Sequence, residues 1–336
     1  MRLDKNKEDF LNLLNATKDY TNFDLSLIEK DYYVTLLLKE ASKRIKGLVF
    51  KGGTSLSKCF KIIDRFSEDI DLSLNNNFFS QKYKRNAVRE MVDVIEHLGL
   101  TLKNKDKILK HTHGTYNCFR IGYPSLYKIN ESIDLEILLE LVYIERTYPT
   151  EIKEATSYIG EFLINNNYKD IVDKYELEPF KIEVQRLERT LVDKVFAICD
   201  YYVLKKERRN SRHIYDIYKI IPKVDLEDEN LKSFVEEIRT IRKKNKNCIT
   251  AQDDIDINKI LKEIVESNYY KNDFNKVTSL LLTKSIKYDE IITSINKIIE
   301  SGIFSKWIWV LVICCNKNHL WKFKIINDFL NVIYGL

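Results

Sequence analysis

A chain of 336 residues with 44% hydrophobic content has enough apolar material for a sizeable core, which excludes a disordered protein and admits one large domain or two of ordinary size. Nine glycines and four prolines, against abundant Lys, Ile, Leu, Glu and Asn, favour a helix-rich fold with a limited sheet. The 55 basic and 50 acidic residues leave a formal charge of only +5, which permits a nucleic-acid partner without demanding one.

From Asp24 to Ile45 the text "DLSLIEKDYYVTLLLKEASKRI" places apolar residues at helical intervals and predicts a helix leading into a sheet. "GLVF" then reads as a short buried strand, "TSLSKCFKII" as a helix with Leu56, Phe60 and Ile63 on one face, and "DIDLSL" as a strand of strict alternation. A further helix, "QKYKRNAVREMVDVIEHLGL", ends near Gly99, and two more strands follow in "NCFRIGYPSLY" and "SIDLEILLELVYI". Beyond Tyr148 the periodicity turns helical, in "ERTLVDKVFAICDYYVL" and "RHIYDIYKII". This order predicts an α+β fold: a mixed sheet with flanking helices over residues 1–175, then a mainly helical C-terminal domain over 176–336. The basic string "IRKKNKN", Ile241 to Asn247, reads as a solvated loop or as an RNA-facing patch.

Six cysteines, at 59, 118, 199, 248, 314 and 315, form no C-x-x-C pair and no metal-ligand spacing, so they read as reduced thiols of a cytoplasmic protein. The start "MRLDKNKEDF" has no apolar signal core. The longest apolar run, "WIWVLVICC" from Trp307 to Cys315, is about half the roughly twenty residues of a membrane span and reads as a closing core helix. His111 and His113, without further ligands at a suitable spacing, read as loop residues.

The chemistry concentrates in "VFKGGTSLSKCFKIIDRFSEDIDLSL". Alternation along a strand points Asp69 and Asp71 to one face, roughly 6.5–7 Å apart at their α-carbons, with Ile70, Leu72 and Leu74 turned into the core. Two carboxylates so placed suit Mg²⁺, and a two-metal site clamps both oxygens of a phosphoryl or nucleotidyl displacement. Gly52 and Gly53 allow a tight turn with close backbone approach, Thr54 or Ser55 is expected to cap the following helix, and its N-terminus with Lys58 one turn inside forms a triphosphate site. The Walker A pairing of Gly-Lys-Ser/Thr is missing, and the gap from Gly53 to Asp69 is longer than nucleotidyltransferases usually show. A third acidic group is expected from the strand carrying Asp134, Glu136 and Glu140, and Glu136, the central one, is the choice.

Four segments in order, "IEKDYYVTLLL", the glycine and aspartate stretch above, "ERTLVDKVFAICDYY" and "RRNSRHIYDIYKI", resemble the AbiEii/AbiGii toxins, nucleotidyltransferase-like toxins of bacterial abortive-infection type IV toxin–antitoxin pairs. The resemblance runs from about Asp24 to Ile299 and includes "YYKNDFNKVTSLL" and "YDEIITSINKII". It implies roles for Lys194, Asp216 and Ser67, which fall on motif positions, and an antitoxin encoded nearby that need not form a stable complex with the toxin. Lys194 flanks the apolar stripe of its helix, so its stem packs while its ammonium reaches a cleft. Arg189–Asp193 and Arg212–Asp216 read equally well as ordinary i,i+4 helix pairs.

The expected protein is therefore a Mg²⁺-dependent nucleotidyltransferase: a nucleoside triphosphate on Gly52–Ser55 and Lys194, metals on Asp69, Asp71 and Glu136, and Glu136 or Asp216 as proton acceptor. The resemblance makes tRNA the favoured acceptor. The alternatives are a toxin that nucleotidylates a protein, a nucleotide-binding toxin without transfer activity, and a helical interaction module with an α/β cap.

Overall fold

The computed structural model describes residues 1–67, 69–74, 80–112, 114–127, 136–143, 149–246 and 248–305. Asp134, His113 and the run from Trp307 to Cys315, with its expected closing helix, lie outside the described residues.

Helices α1 (Lys7–Thr21) and α2 (Leu25–Arg44) come first. Asn6 caps α1 by accepting from the Asp9 backbone N–H, and Asn22 ends it in the left-handed region at φ 60°, where a short polar side chain is tolerated. The middle of α2 is buried all round, charged residues included, so each buried charge needs a partner. Glu29 accepts from the Leu126 N–H at 2.7 Å and from the Ser125 hydroxyl, and Asp31 accepts from the Tyr158 N–H at 2.8 Å and from Lys58. The "EKD" of the sequence thus ties α2 to three other parts of the fold.

Strand β1 (Leu48–Lys51) opens on a buried apolar run, Leu48 to Phe50, because it lies inside the sheet, and α3 (Gly52–Lys58) follows it directly. The helix expected to reach Ile63 stops at Lys58: Lys61 takes φ 53°, and the chain leaves in extended form past Arg65, which bridges to Leu282. The long gap between glycines and aspartates is this departing loop. Strand β2 (Ile70–Leu74) buries Ile70, Leu72 and Leu74 on one side, as its alternation predicts. Helix α4 (Gln81–His97) is capped by Ser80 and buries an Ala87–Val88–Met91–Val92–Ile95 stripe; Gly99 follows at φ 67°. Strand β3 (Thr101–Leu102), helix α5 (Lys105–Lys110), strands β4 (Tyr116–Gly122), β5 (Glu136–Tyr143) and β6 (Thr150–Ala155), helices α6 (Tyr158–Asn165) and α7 (Lys169–Tyr175) and strand β7 (Phe180–Gln185) complete this half.

The described strands form one mixed seven-stranded sheet in the order β3-β4-β5-β2-β1-β7-β6. β1 pairs antiparallel with β2 and parallel with β7, while β2 pairs parallel with β5. β6 and β7 fall where the sequence predicts helical periodicity, and β7 belongs to the sheet although it follows residue 175. Then come α8 (Leu187–Val203), α9 (Arg212–Ile220), α10 (Glu229–Lys243), α11 (Ile257–Glu266), α12 (Lys271–Lys276), α13 (Tyr288–Ile291) and α14 (Thr293–Ser301). Their apolar faces make a second core, into which Leu56 and Ile63 reach from the first half. Among the described residues no helix is long and apolar enough to cross a membrane.

Candidate active site

Between the sheet and helices α8 and α9 lies a cleft of about 990 Å³. The sheet lends it Lys51, Gly52 and Gly53 at the end of β1, Asp69 and Asp71 at the start of β2, and Tyr116, Val142 and Tyr143 from β4 and β5. The helices lend Arg189, Asp193 and Lys194 from α8, Arg212 and His213 from α9, and Arg242 to Lys246 around the end of α10, Lys243 excepted. One wall carries carboxylates and the other mostly cations.

The glycine turn and Asp71 meet directly. Gly52 has φ 76°, and a Cβ built there would stand 1.9 Å from Asp71 Oδ2; one on Gly53 would meet Arg65 Nη2 at 2.5 Å and Ser67 Oγ at 2.9 Å. Only glycine lets the backbone lie this close to the carboxylate. We expect Gly52→Ala to cost about 1–2 kcal/mol in a denaturant titration through its positive φ. The same variant should lower activity by about a hundredfold, because the displaced carboxylate loses its alignment. Activity falling far more than stability is the expected signature.

Asp71 stands opposite Lys51 on β1 and opposite Glu140 on β5, and paired residues share a face of the sheet. Burial, with Glu140 adding to it against Lys51, pushes its carboxyl above the ordinary range. A cation bound there would relieve both effects. Asp69 lies 3.7 Å from Arg212 Nη1 and is about one-third exposed. Thr54 Oγ1 donates to the Asp69 carbonyl and lies 3.0 Å from Ser67 Oγ, so α3 and the start of β2 are held together.

Behind this pair Asp216 is completely buried and accepts three hydrogen bonds: from Arg65 Nε at 2.8 Å, Arg65 Nη2 at 2.7 Å and Lys194 Nζ at 2.6 Å. Burial opposes its ionisation, yet Arg65 and then Lys194 hold its carboxyl well below the ordinary range. Burial lowers the Lys194 ammonium, and Arg65 and Arg212 push it the same way against the pull of Asp216. Two cations share one anion, so the cluster keeps a net positive charge beside the cleft. The loop that presents Arg212 and His213 is itself pinned: Asp273 on α12 accepts from the N–H groups of Arg209 and Ser211 at 2.7 and 3.0 Å, and from Ser211 Oγ at 2.6 Å.

A family profile described as "Nucleotidyl transferase AbiEii toxin, Type IV TA system" matches residues 36–292, more than three-quarters of the chain. The protein belongs to the AbiEii family of nucleotidyltransferase toxins. Among solved structures it is similar to MenT4, a nucleotidyltransferase toxin of Mycobacterium tuberculosis H37Rv, at 16% identity over 86% of this chain and 88% of that one, with a TM-score of 0.49. No curated protein sequence matches it. This AbiEii protein is thus a nucleotidyltransferase, and a family of type IV toxin–antitoxin systems implies a nucleoside triphosphate substrate and an antitoxin partner.

Gly52, Gly53, Ser67, Asp69, Asp71 and Lys194 all line the cleft of this AbiEii protein. Other expected site residues do not. Glu136 is buried at the far end of β5, four residues from Glu140, where Arg120 and Lys103 hold its carboxyl below the ordinary range. It pairs across the sheet with Gly122, so the β2–β5 register brings Glu140, not Glu136, beside Asp71. Lys58 is buried and donates to Asp31 and, at 2.6 Å, to Thr35, which turns it away from any phosphate. Neither expected cap acts as one, because α3 begins at Gly52: Thr54 bonds to Ser67, and the buried Ser55 donates to the Gly52 carbonyl at 2.9 Å. Asp216, fully buried with both oxygens engaged, holds Arg65 and Lys194 instead of facing an acceptor. Arg212 reaches toward Asp69 and forms no pair with Asp216, whereas Arg189 and Asp193 do form the i,i+4 pair at 3.0 Å.

Arg65 is a residue the sequence leaves unplaced; of the "IRKKNKN" string, Ile241 to Lys243 close α10, and Arg242, Lys244 and Lys246 line the cleft. Arg65 sits in the long gap between glycines and aspartates, and that unusual length is the one signal of it.

Proposed function

We propose that this cleft binds a magnesium–nucleoside triphosphate and transfers its nucleotidyl group to an RNA acceptor, tRNA being the favoured one. The observation that carries the proposal is the pairing of opposite chemistries in one cleft. Asp71, with Asp69 two residues before it in the same cleft lining, is packed against a glycine turn on one wall, and a buried cluster of net positive charge stands on the other.

Asp69 and Asp71 fit Mg²⁺. Among the described residues no three acidic, histidine or cysteine side chains close on one point, but Mg²⁺ is commonly held by one or two carboxylates, with waters and substrate phosphates completing its shell. When bound, the metal supplies charge neutralisation for the triphosphate. Glu140, paired with Asp71 across the sheet, adds to the negative potential there. Lys194 and Arg212 would contact the phosphates, and the Gly52–Gly53 turn gives them room against the sheet. Transfer is a displacement at the α-phosphorus: an acceptor hydroxyl oxygen bonds to it, the bond to the bridging oxygen of the β-phosphate breaks, pyrophosphate leaves and the hydroxyl proton passes to solvent. Positioning and charge complementarity carry the catalysis.

Replacing Lys194 by Gln leaves Asp216 paired with Arg65 and removes one charged donor from the phosphates. Triphosphate affinity should fall roughly ten- to a hundredfold, the effect of losing a charge-assisted hydrogen bond. Calorimetric titration checks it. The acceptor is identified by incubating the protein with Mg²⁺, each α-labelled triphosphate in turn, and cell lysate. Label in tRNA supports the proposal, label in protein shows a protein-nucleotidylating toxin, and nucleotide binding without any product shows a toxin that acts without transfer. Growth inhibition and phage defence would follow from disabling tRNA, with the antitoxin acting without a stable complex.

A further inference from the structure

We infer that the Arg242–Lys246 segment is the acceptor subsite of the cleft, and that it holds the phosphodiester backbone of a single-stranded RNA end through Lys244 and Lys246. The inference rests on the nucleotidyl-transfer reading above.

The segment is exposed and basic, which alone would describe a solvated loop. Its mounting argues otherwise. Arg242 Nη1 lies 3.3 Å from Asp193 Oδ1 and its Nη2 lies 3.2 Å from Asp200 Oδ2, with the guanidinium 5.0 Å from the centre of the Phe196 ring. Asp200 also accepts from the N–H and hydroxyl of the fully buried Thr250, at 2.8 and 2.7 Å. Residues 242 and 250 therefore bracket the segment, and both are anchored to α8, the helix that carries Lys194. Between them the chain turns tightly, Asn245 N–H donating to the Arg242 carbonyl and Cys248 N–H to the Asn245 carbonyl, each at 2.9 Å. Arg242, Asp193 and Asp200 are each only partly exposed, and holding a guanidinium and two carboxylates half out of water carries a desolvation cost that a loop of no consequence would not require. Its position is in the lining of the cleft.

The cleft's volume also exceeds the need of one nucleotide: about 990 Å³ is at the top of the ~300–1,000 Å³ range of small-molecule sites, leaving space for the end of a second substrate. Across from the lysines Tyr116 is half exposed, its hydroxyl fixed to Glu140 Oε1 at 2.9 Å, and it offers a ring face on which an unpaired base stacks. Cations to track a backbone beside an aromatic platform suit a single nucleic-acid strand. A protein acceptor would bring such a run of negative charge only in an acidic segment, whereas every nucleotide of an RNA strand carries it.

The test measures binding of a fluorescein-labelled single-stranded oligoribonucleotide by anisotropy over a range of salt, in the full-length protein and in Lys244→Gln/Lys246→Gln. Both lysines are exposed, so the fold should survive. The double variant should bind several-fold more weakly and lower the slope of log K against log salt by about 1.4, roughly 0.7 for each single-strand phosphate no longer neutralised. Its triphosphate affinity, measured alongside, should equal that of the parent. Lys243→Gln is the control, because that lysine pairs with Asp253 and does not line the cleft; it should change nothing. Unchanged RNA binding and slope in the double variant, with triphosphate binding intact, would overturn the subsite and leave the proposed function standing. An equal loss in Lys243→Gln would overturn it as well, by showing a general charge effect. A parent protein that binds triphosphate but no RNA would overturn the ligand class, and one that binds neither would overturn both readings together.

Discussion

Asp69→Ala is expected to reduce nucleotidyl transfer by about a thousandfold or more while leaving the denaturation midpoint almost unchanged. The catalytic part follows from magnitude: removing one preorganised electrostatic contact in an active site commonly costs about 10²–10³ in rate, and in the proposed function the missing group would also hold the metal. The structural part follows from position. Asp69 is about one-third exposed, and its ion pair with Arg212 is a long one at 3.7 Å, so its side chain carries little of the packing. Asp71 is a poorer choice for this test, since Gly52 packs directly on its carboxylate. Initial rates with α-labelled triphosphate, beside a urea titration of each protein, decide the matter.

Asp216→Ala should behave in the opposite way and destabilise the protein by about 3–5 kcal/mol, because it leaves Arg65 and Lys194 buried without their counter-ion. Replacing all three together by apolar residues of similar volume should recover most of that stability without recovering triphosphate binding. That contrast separates what the cluster does for the fold from what its net charge does for the substrate. Acid provides a second view. The folded-state pKa of Asp216 lies below its unfolded value near 3.8, so its contribution is fully present above that value and is lost as pH falls below it toward the depressed one. Asp216→Asn has no such group to titrate, and its midpoint should converge with that of the parent as the solution is acidified.

The local signals in the sequence are strong where one element decides its own form. Alternation alone sends Ile70, Leu72 and Leu74 inward and Asp71 to the cleft, and the helical stripes of α4, α8 and α9 are readable in the same way. Features settled by partner elements are not. β6 and β7 are short and carry charged residues at alternate positions, and they become strands through pairing with each other and, for β7, with β1. Glu136 and Glu140 are indistinguishable by period; the register with β2 alone decides which of them meets Asp71. Lys58 and Asp31, twenty-seven residues apart, give no hint in the sequence that they neutralise each other. The same holds for Arg65 and Asp216, separated by 151 residues, whose pairing joins the long loop after α3 to the helical half. Family motifs mark Lys194 and Asp216 without saying that the aspartate serves the lysine.

In the proposed function both walls of this cleft hold the same nucleotide, Asp69 and Asp71 through its metal and the Arg65–Lys194–Asp216 cluster through its phosphates. Isothermal titration of a non-hydrolysable triphosphate with and without Mg²⁺, in the parent and in Asp69→Ala, addresses it directly. Tighter binding with Mg²⁺ in the parent, and no such gain in the variant, is the predicted outcome. An equal gain from Mg²⁺ in both proteins would place the metal elsewhere and contradict the account.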